Sequence, residues 1–269
     1  LEHTLAAIAQ SKKTGLPLLV ELNGGIGDHI EALSLLLPWA KAQNYCLDLE
    51  MSAQRQQQIG PLLHQWDQIR CNTGREKGRT PIPVMALRAA VVGNAEPTYY
   101  CSWLQQKQTN KQSEQHLLCC WRAEGAGDRL SAHSRSVPWG LVRDFYLRLQ
   151  RLKPQTQIVD ITTWKDWEAR DLRSMGVNIL DPRQGTLSDL AQLCQISRVV
   201  TIDTALVHLC AAAGQRAHLL LCSLPDERWR ELHRPEHHYG QCIQLWRSCQ
   251  FGSWSSVLAS LTASFTSEG

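Results

Sequence analysis

Apolar positions along this chain follow two alternating rhythms, short unbroken runs and longer stretches with a helical period. An unbroken apolar run marks a strand buried on both faces, whereas a 3.6-residue period marks a helix with one buried face. On that basis 17–22 form a strand and 28–42 a helix, with Ile30, Leu33, Leu36 and Leu37 turned inward. A second strand follows at 45–51, a polar-faced helix at 53–65 and a short strand at 66–71. Residues 80–93 read as a loop running into a short apolar helix. Ahead of all these, "LEHTLAAIAQSKKTG" reads as the last turns of a helix closed by Gly15. Residues 105–115, "QQKQTNKQSEQ", have no apolar position and no period, which predicts a solvated linker or flexible loop.

Beyond that gap the pattern restarts. Strands are predicted at 116–121, 156–162, 177–180, 198–202 and 217–222, and helices at 139–151, 164–174, 186–197, 204–214 and 253–265. Strictly alternating strands and helices build parallel sheets covered on both faces. Two such runs predict an α/β protein of two Rossmann-like domains with a cleft between them, divided as 1–110 and 111–269.

Composition narrows the class. The 269 residues suffice for two domains of ordinary size, and 43% hydrophobic with 20% charged residues is the balance of a globular protein. Basic residues number 28 against 25 acidic, and they are dispersed, so no stripe is present to track a nucleic-acid backbone. The ten cysteines fall largely in apolar runs and include no Cys-x-x-Cys pair. Buried free thiols in a reducing cytoplasm are the expectation. No apolar stretch reaches the ~18 residues of a membrane span, and no leader is expected. The chain opens without Met, as a cut piece of a longer polypeptide would.

Two strand-to-helix turns carry candidate chemistry. In "NGGIGDHI" the backbone at Asn23, Gly24, Gly25 and Gly27 can turn tightly and bring N–H groups close to a ligand. Asp28 is the first carboxylate after that turn, where a helix N-terminus stabilises negative charge. It reads either as a cap or as a general base. The dinucleotide fingerprint fails at Ile30, although Glu50 at the end of the second strand suits a ribose contact. An NAD-dependent oxidoreductase therefore stays open as an alternative. In "VVTIDTALVHLCAAAG" the pattern repeats, with Asp203 and Thr204 where the strand ends and His208 one turn on. The N–H groups at Thr204 and Ala205 can hold a phosphate, or Thr204 can simply cap and His208 be a core histidine. Arg135 and Ser136 precede helix 139–151, and an arginine there can clamp a phosphate. His237, His238 and Glu236 are too close in sequence to chelate one ion together, so no metal is expected.

The segments "GGIGDHIEALSLL", "IPVMALRAAVVG", "RSVPWGLVRDFYLRL", "TLSDLAQLCQISRVVTIDTALVHLCAAAG" and "LPDERWR", in this order, resemble glycosyltransferase family 9. These are the heptosyltransferase-like enzymes, and the likeness is closer to the bacterial members attached to tetratricopeptide repeats. The resemblance implies the α/β GT-B architecture, two Rossmann-like domains facing across a cleft, and inverting, metal-independent transfer from a nucleotide-sugar without a separate cofactor. It implies Asp28 as the base, Asp203, Thr204 and Ala205 as the donor-phosphate turn, and His208 as the histidine that follows. The implied partners are a nucleotide-sugar, a glycan, lipid-linked or protein acceptor, and an upstream helical-repeat domain. Ala205 stands where the family usually has glycine, Arg135 where it commonly has lysine, and the first half is short. A decayed nucleotide-binding or scaffold module is the second open alternative.

Overall fold

The computed structural model describes residues 2–74, 79–92, 103–104, 113–123, 135–229, 239, 242–248, 250 and 253–267. The chain divides into two compact units, Leu1–Gln106 and Lys107–Gly269. Each is an α/β unit on an all-parallel sheet.

In the first unit β1 (Leu18–Glu21), β2 (Leu47–Glu50), β3 (Ile69–Asn72) and β4 (Ile82–Pro83) lie in the order β3-β2-β1-β4. Helices α1 (Glu2–Thr14), α2 (Ile26–Gln43), α3 (Ala53–Leu63) and α4 (Val84–Val92) accompany them. The apolar runs predicted as strands are buried, with Val20, Leu47 and Leu49 wholly inaccessible. As expected, α1 closes at Gly15, whose φ of +71° suits a glycine C-terminal stop. The loop expected at 80–83 contains β4, which pairs with β1 through Val20 and Ile82. It is an edge strand two residues long, and Pro83 is tolerated there because an edge can forgo one donor. Trp103, fully buried, donates its indole N–H to the Ser34 hydroxyl of α2 at 2.9 Å. Its carbonyl accepts from the Gln65 side chain at 2.8 Å. Those two bonds seat Trp103 on the unit.

In the second unit β5 (Ser113–Cys120), β6 (Gln157–Asp160), β7 (Asn178–Ile179), β8 (Ser197–Ile202), β9 (Ala217–Leu221) and β10 (Ile243–Arg247) lie in the order β10-β9-β8-β5-β6-β7. This is the 3-2-1-4-5-6 order of a Rossmann fold. Its helices are α5 (Trp139–Leu152), α6 (Asp166–Ser174), α7 (Leu187–Ile196), α8 (Ala205–Ala212) and α9 (Ser255–Ser267). Phe145, Tyr146 and Leu149 of α5 and Leu258 and Leu261 of α9 pack with Leu117, Val200 and Leu220 from the sheet. The linker expected over 105–115 is shorter at its far end, because β5 begins at Ser113. A register shift lies between Ser113, which pairs with Ser197, and Leu117, which pairs with Arg198. Residues 105–112 lie outside the described residues.

A buried polar cluster closes the carboxyl end of β6. Asp160 accepts from the Tyr146 hydroxyl at 2.8 Å, the Trp164 indole at 3.0 Å and the Thr162 backbone at 2.7 Å. Tyr146 in turn accepts from the Trp121 indole at 2.6 Å. Every described cysteine is a free thiol, five of them buried. No helix among the described residues is long and apolar enough to cross a membrane.

Candidate active site

In an open parallel sheet, ligands bind beyond the carboxyl ends of strands at the point where strand order reverses. In the first unit that point lies between β1 and β4, and in the second between β5 and β8. The chain leaving β1 is Leu22–Asn23–Gly24–Gly25, and the chain leaving β8 is Asp203–Thr204. Both candidate turns therefore fall at the switch point of their own sheet.

At the first turn, Gly24 has φ +107°, which L side chains rarely adopt. Gly25 is extended, at φ −78° and ψ 160°, and caps α2. The helix consequently starts at Ile26, two residues earlier than expected. Gly27 lies inside the first helical turn and Asp28 is its third residue. The Gly25 N–H donates to Asp28 Oδ2 at 3.2 Å, so Asp28 does cap, while remaining partly exposed. A Cβ on Gly25 would stand 3.2 Å from that oxygen, and one on Gly24 3.4 Å. Two residues that the pattern did not single out support the turn. Arg55, at the start of α3, donates to the Gly24 carbonyl at 3.2 Å. His29 lies buried against the turn, its Nε2 4.0 Å from where a Gly24 Cβ would be. Burial holds its imidazole below the ordinary range, with Arg55 adding to the effect and the Asn23 backbone and Asp28 opposing it. Glu50, the candidate ribose contact, is buried at the end of β2.

At the second turn Thr204 is the N-cap of α8. Thr201 directs its own hydroxyl proton to the Ile202 carbonyl at 2.8 Å. The 3.1 Å contact between the two threonines therefore has Thr204 donating to Thr201. Thr204 Oγ1 also receives the Leu206 N–H at 3.4 Å. The N–H groups of Thr204 and Ala205 precede the first intrahelical bond, Val207 N–H to the Thr204 carbonyl at 3.2 Å. Arg135 reaches Asp203 Oδ2 at 3.4 Å. Its segment is held at the carboxyl end of β5, where Val137 N–H donates to the Trp121 carbonyl at 2.9 Å and Ala123 N–H to Ser136 Oγ at 3.2 Å. Burial pushes the Asp203 carboxyl up, against the pull of Arg228, the Trp229 indole and Arg135. His208 is 1% exposed, and its Nδ1 lies 2.8 Å from the Tyr239 hydroxyl. The structure thus gathers Arg135, Asp203, Thr204 and Ala205 at one place and puts His208 beneath them in the helix. Glu236, His237 and His238 lie outside the described residues.

The sequence matches no protein-family model and no curated protein. The fold does find matches. Over 94% of this chain it superposes on 99% of an ADP-heptose LPS heptosyltransferase II from E. coli, with TM-score 0.57 at 13% identity. A glycosyl transferase family 9 structure from Veillonella parvula gives TM-score 0.57 at 12% identity, covering 94% of this chain and 98% of the other. E. coli heptosyltransferase WaaC with ADP-2-deoxy-2-fluoro heptose gives 0.54 at 14%, again over 94% and 98%. This chain has a GT-B fold.

Within that GT-B chain, the loop after β9 supplies further neighbours of the second turn. A short 3-10 turn, Glu227–Trp229, places fully buried Trp229 over His208, ring centroids 5.8 Å apart and planes 29° from parallel. Arg228, one residue earlier, acts on Asp203 by its charge. The signal available in the sequence was a large aromatic beside charged residues just past a strand end.

Proposed function

We propose that this chain is an inverting, metal-independent glycosyltransferase, moving a sugar from a nucleotide-sugar donor to an acceptor hydroxyl. One observation carries the reading. Each Rossmann-like sheet has its candidate turn at its own switch point, one bearing a carboxylate and the other N–H donors with a guanidinium.

In the reaction, Asp28 takes the proton from the acceptor hydroxyl as that oxygen bonds to the anomeric carbon. The bond from that carbon to the donor phosphate breaks, and its electron pair leaves with the nucleoside diphosphate. General-base help of this kind is worth about 10²–10⁴-fold. The leaving diphosphate is received by the Thr204 and Ala205 N–H groups and by Arg135 paired with Asp203. The Thr204 hydroxyl joins them by turning from Thr201. Donors fixed in place stabilise developing charge without the reorganisation that water requires. Gly24, at φ +107°, makes the turn that ends at the base, with Asn23, Gly25 and Gly27 completing it. His208, locked by Tyr239 and Trp229, braces the donor helix from within. Structures in this fold class were solved with ADP-2-deoxy-2-fluoro heptose and with ADP-D-beta-D-heptose, so ADP-heptose is the donor to try first.

The test is ADP release from ADP-heptose in EDTA, with water standing in as the acceptor hydroxyl, for the wild type and Asp28→Asn. The variant should keep its affinity for ADP and lose turnover by at least a hundredfold. Equal turnover would remove Asp28 from the mechanism, and absence of both turnover and nucleotide binding would leave the scaffold reading.

A further inference from the structure

Four charged groups, two guanidiniums and two carboxylates, converge at the second switch point, and the mechanism above uses only one pair of them. Arg135 approaches Asp203 at 3.4 Å. Arg228 Nε approaches Asp226 Oδ1 at 3.1 Å, and its backbone N–H reaches the same oxygen at 3.2 Å. The two pairs are not independent: Arg228 also acts on Asp203, and Arg135 on Asp226.

The position of Arg228 is fixed by its neighbours. Trp229 is fully buried and stacks on His208 of α8, and its N–H closes the turn on the Asp226 carbonyl at 2.9 Å. From the far side, Arg247 of β10 donates to the Trp229 carbonyl. The 3-10 turn is therefore pinned to the same helix whose N-terminus begins at Thr204 and Ala205. A guanidinium held beside a helix N-terminus, with a carboxylate as its resting partner, is matched to an incoming phosphate.

We infer that Arg228 is a second ligand of the donor diphosphate, held by Asp226 and transferring to the phosphate when the nucleotide binds. This deepens the transferase reading and rests on it. Asp226 then acts as a stand-in anion, keeping the arginine oriented and lowering the cost of ordering it on binding. Asp203 holds Arg135 in the same way. Two arginines are thereby available, one for each phosphate group of a nucleoside diphosphate.

The test measures binding of ADP, UDP and GDP, and of the matching nucleosides, by titration calorimetry in EDTA. Arg228→Gln should weaken the best-bound diphosphate about 10- to 100-fold and leave the parent nucleoside's affinity within about twofold. Arg228→Lys should recover part of the loss, because it keeps the charge without the fork. Asp226→Asn should bind the diphosphate at least as tightly as the wild type, since it releases the arginine. The salt dependence of diphosphate binding should also be shallower in Arg228→Gln. An unchanged diphosphate affinity in a folded Arg228→Gln protein would overturn the inference and leave the transferase reading intact. Equal losses for diphosphate and nucleoside would overturn it too, marking Arg228 as structural. A wild type that binds none of the three diphosphates would overturn both.

Discussion

Asp160 should make the second unit less stable as pH rises from about 4 to 6. Its carboxyl is wholly buried, and burial pushes it from the ordinary 3.8 up to about 6, against the hydrogen bonds from Thr162, Tyr146 and Trp164. The folded state therefore holds a proton more tightly than the unfolded chain does. Between the two values folding takes up that proton, so stability falls with rising pH and levels off above 6. The difference is worth about 3 kcal/mol. Asp160→Asn has no such proton, but its amide N–H₂ must face donors, either Tyr146 and Trp164 or the Thr162 backbone. Each donor left unpaired costs about 1–3 kcal/mol. The variant should thus be less stable than the wild type at pH 4, with the gap closing by about 3 kcal/mol at pH 7. Urea unfolding followed by tryptophan fluorescence reads this directly, since Trp121 and Trp164 both belong to the cluster. The difference between the two proteins is the relevant quantity, because His218 titrates in the opposite sense. Burial beside Arg198 lowers its imidazole to about 3, so its contribution is lost as pH falls below 6.5. A gap that stays constant from pH 4 to 7 would refute the reasoning.

Thr204→Val should cost about 1 kcal/mol as a lost N-cap and also weaken nucleoside diphosphate binding, while Thr204→Ser should restore both. Chemical denaturation with calorimetric titration separates the two effects, and unchanged diphosphate affinity would confine Thr204 to capping. Gly24→Ala places a side chain at φ +107° and a Cβ 3.4 Å from Asp28 Oδ2. It should cost about 1–3 kcal/mol and reduce ADP release from ADP-heptose while leaving ADP affinity in place, because the donor turn is untouched.

The strands and helices were legible wherever one physical signal dominated. Unbroken apolar runs such as "LLV" and "VVTI" are buried parallel strands, and the period in α2 placed Ile30, Leu33, Leu36 and Leu37 inside. The start of α2 was less legible, because three glycines in five residues do not reveal which one caps. Gly25 does so, and the backbone angles there settled what composition could not. β10 was missed for a related reason. "IQLWR" is an edge strand whose polar positions hide its period, and it is recognised only by its pairing with β9. Thr204 was readable as a cap, but not the use of its proton by Thr201, which depends on a turn only the folded strand end creates. The ion pair of Asp203 with Arg135 and the charge of Arg228 acting on the same carboxyl join residues far apart in sequence, and no spacing rule reports it.

Titration of the wild-type chain with ADP, UDP, GDP and NAD in EDTA tests whether the second switch point receives a nucleoside diphosphate without a metal. The expected result is saturable one-to-one binding of a nucleoside diphosphate, unchanged when EDTA is replaced by magnesium. Binding of NAD alone, binding that requires the divalent ion, or no binding to any of the four would contradict it.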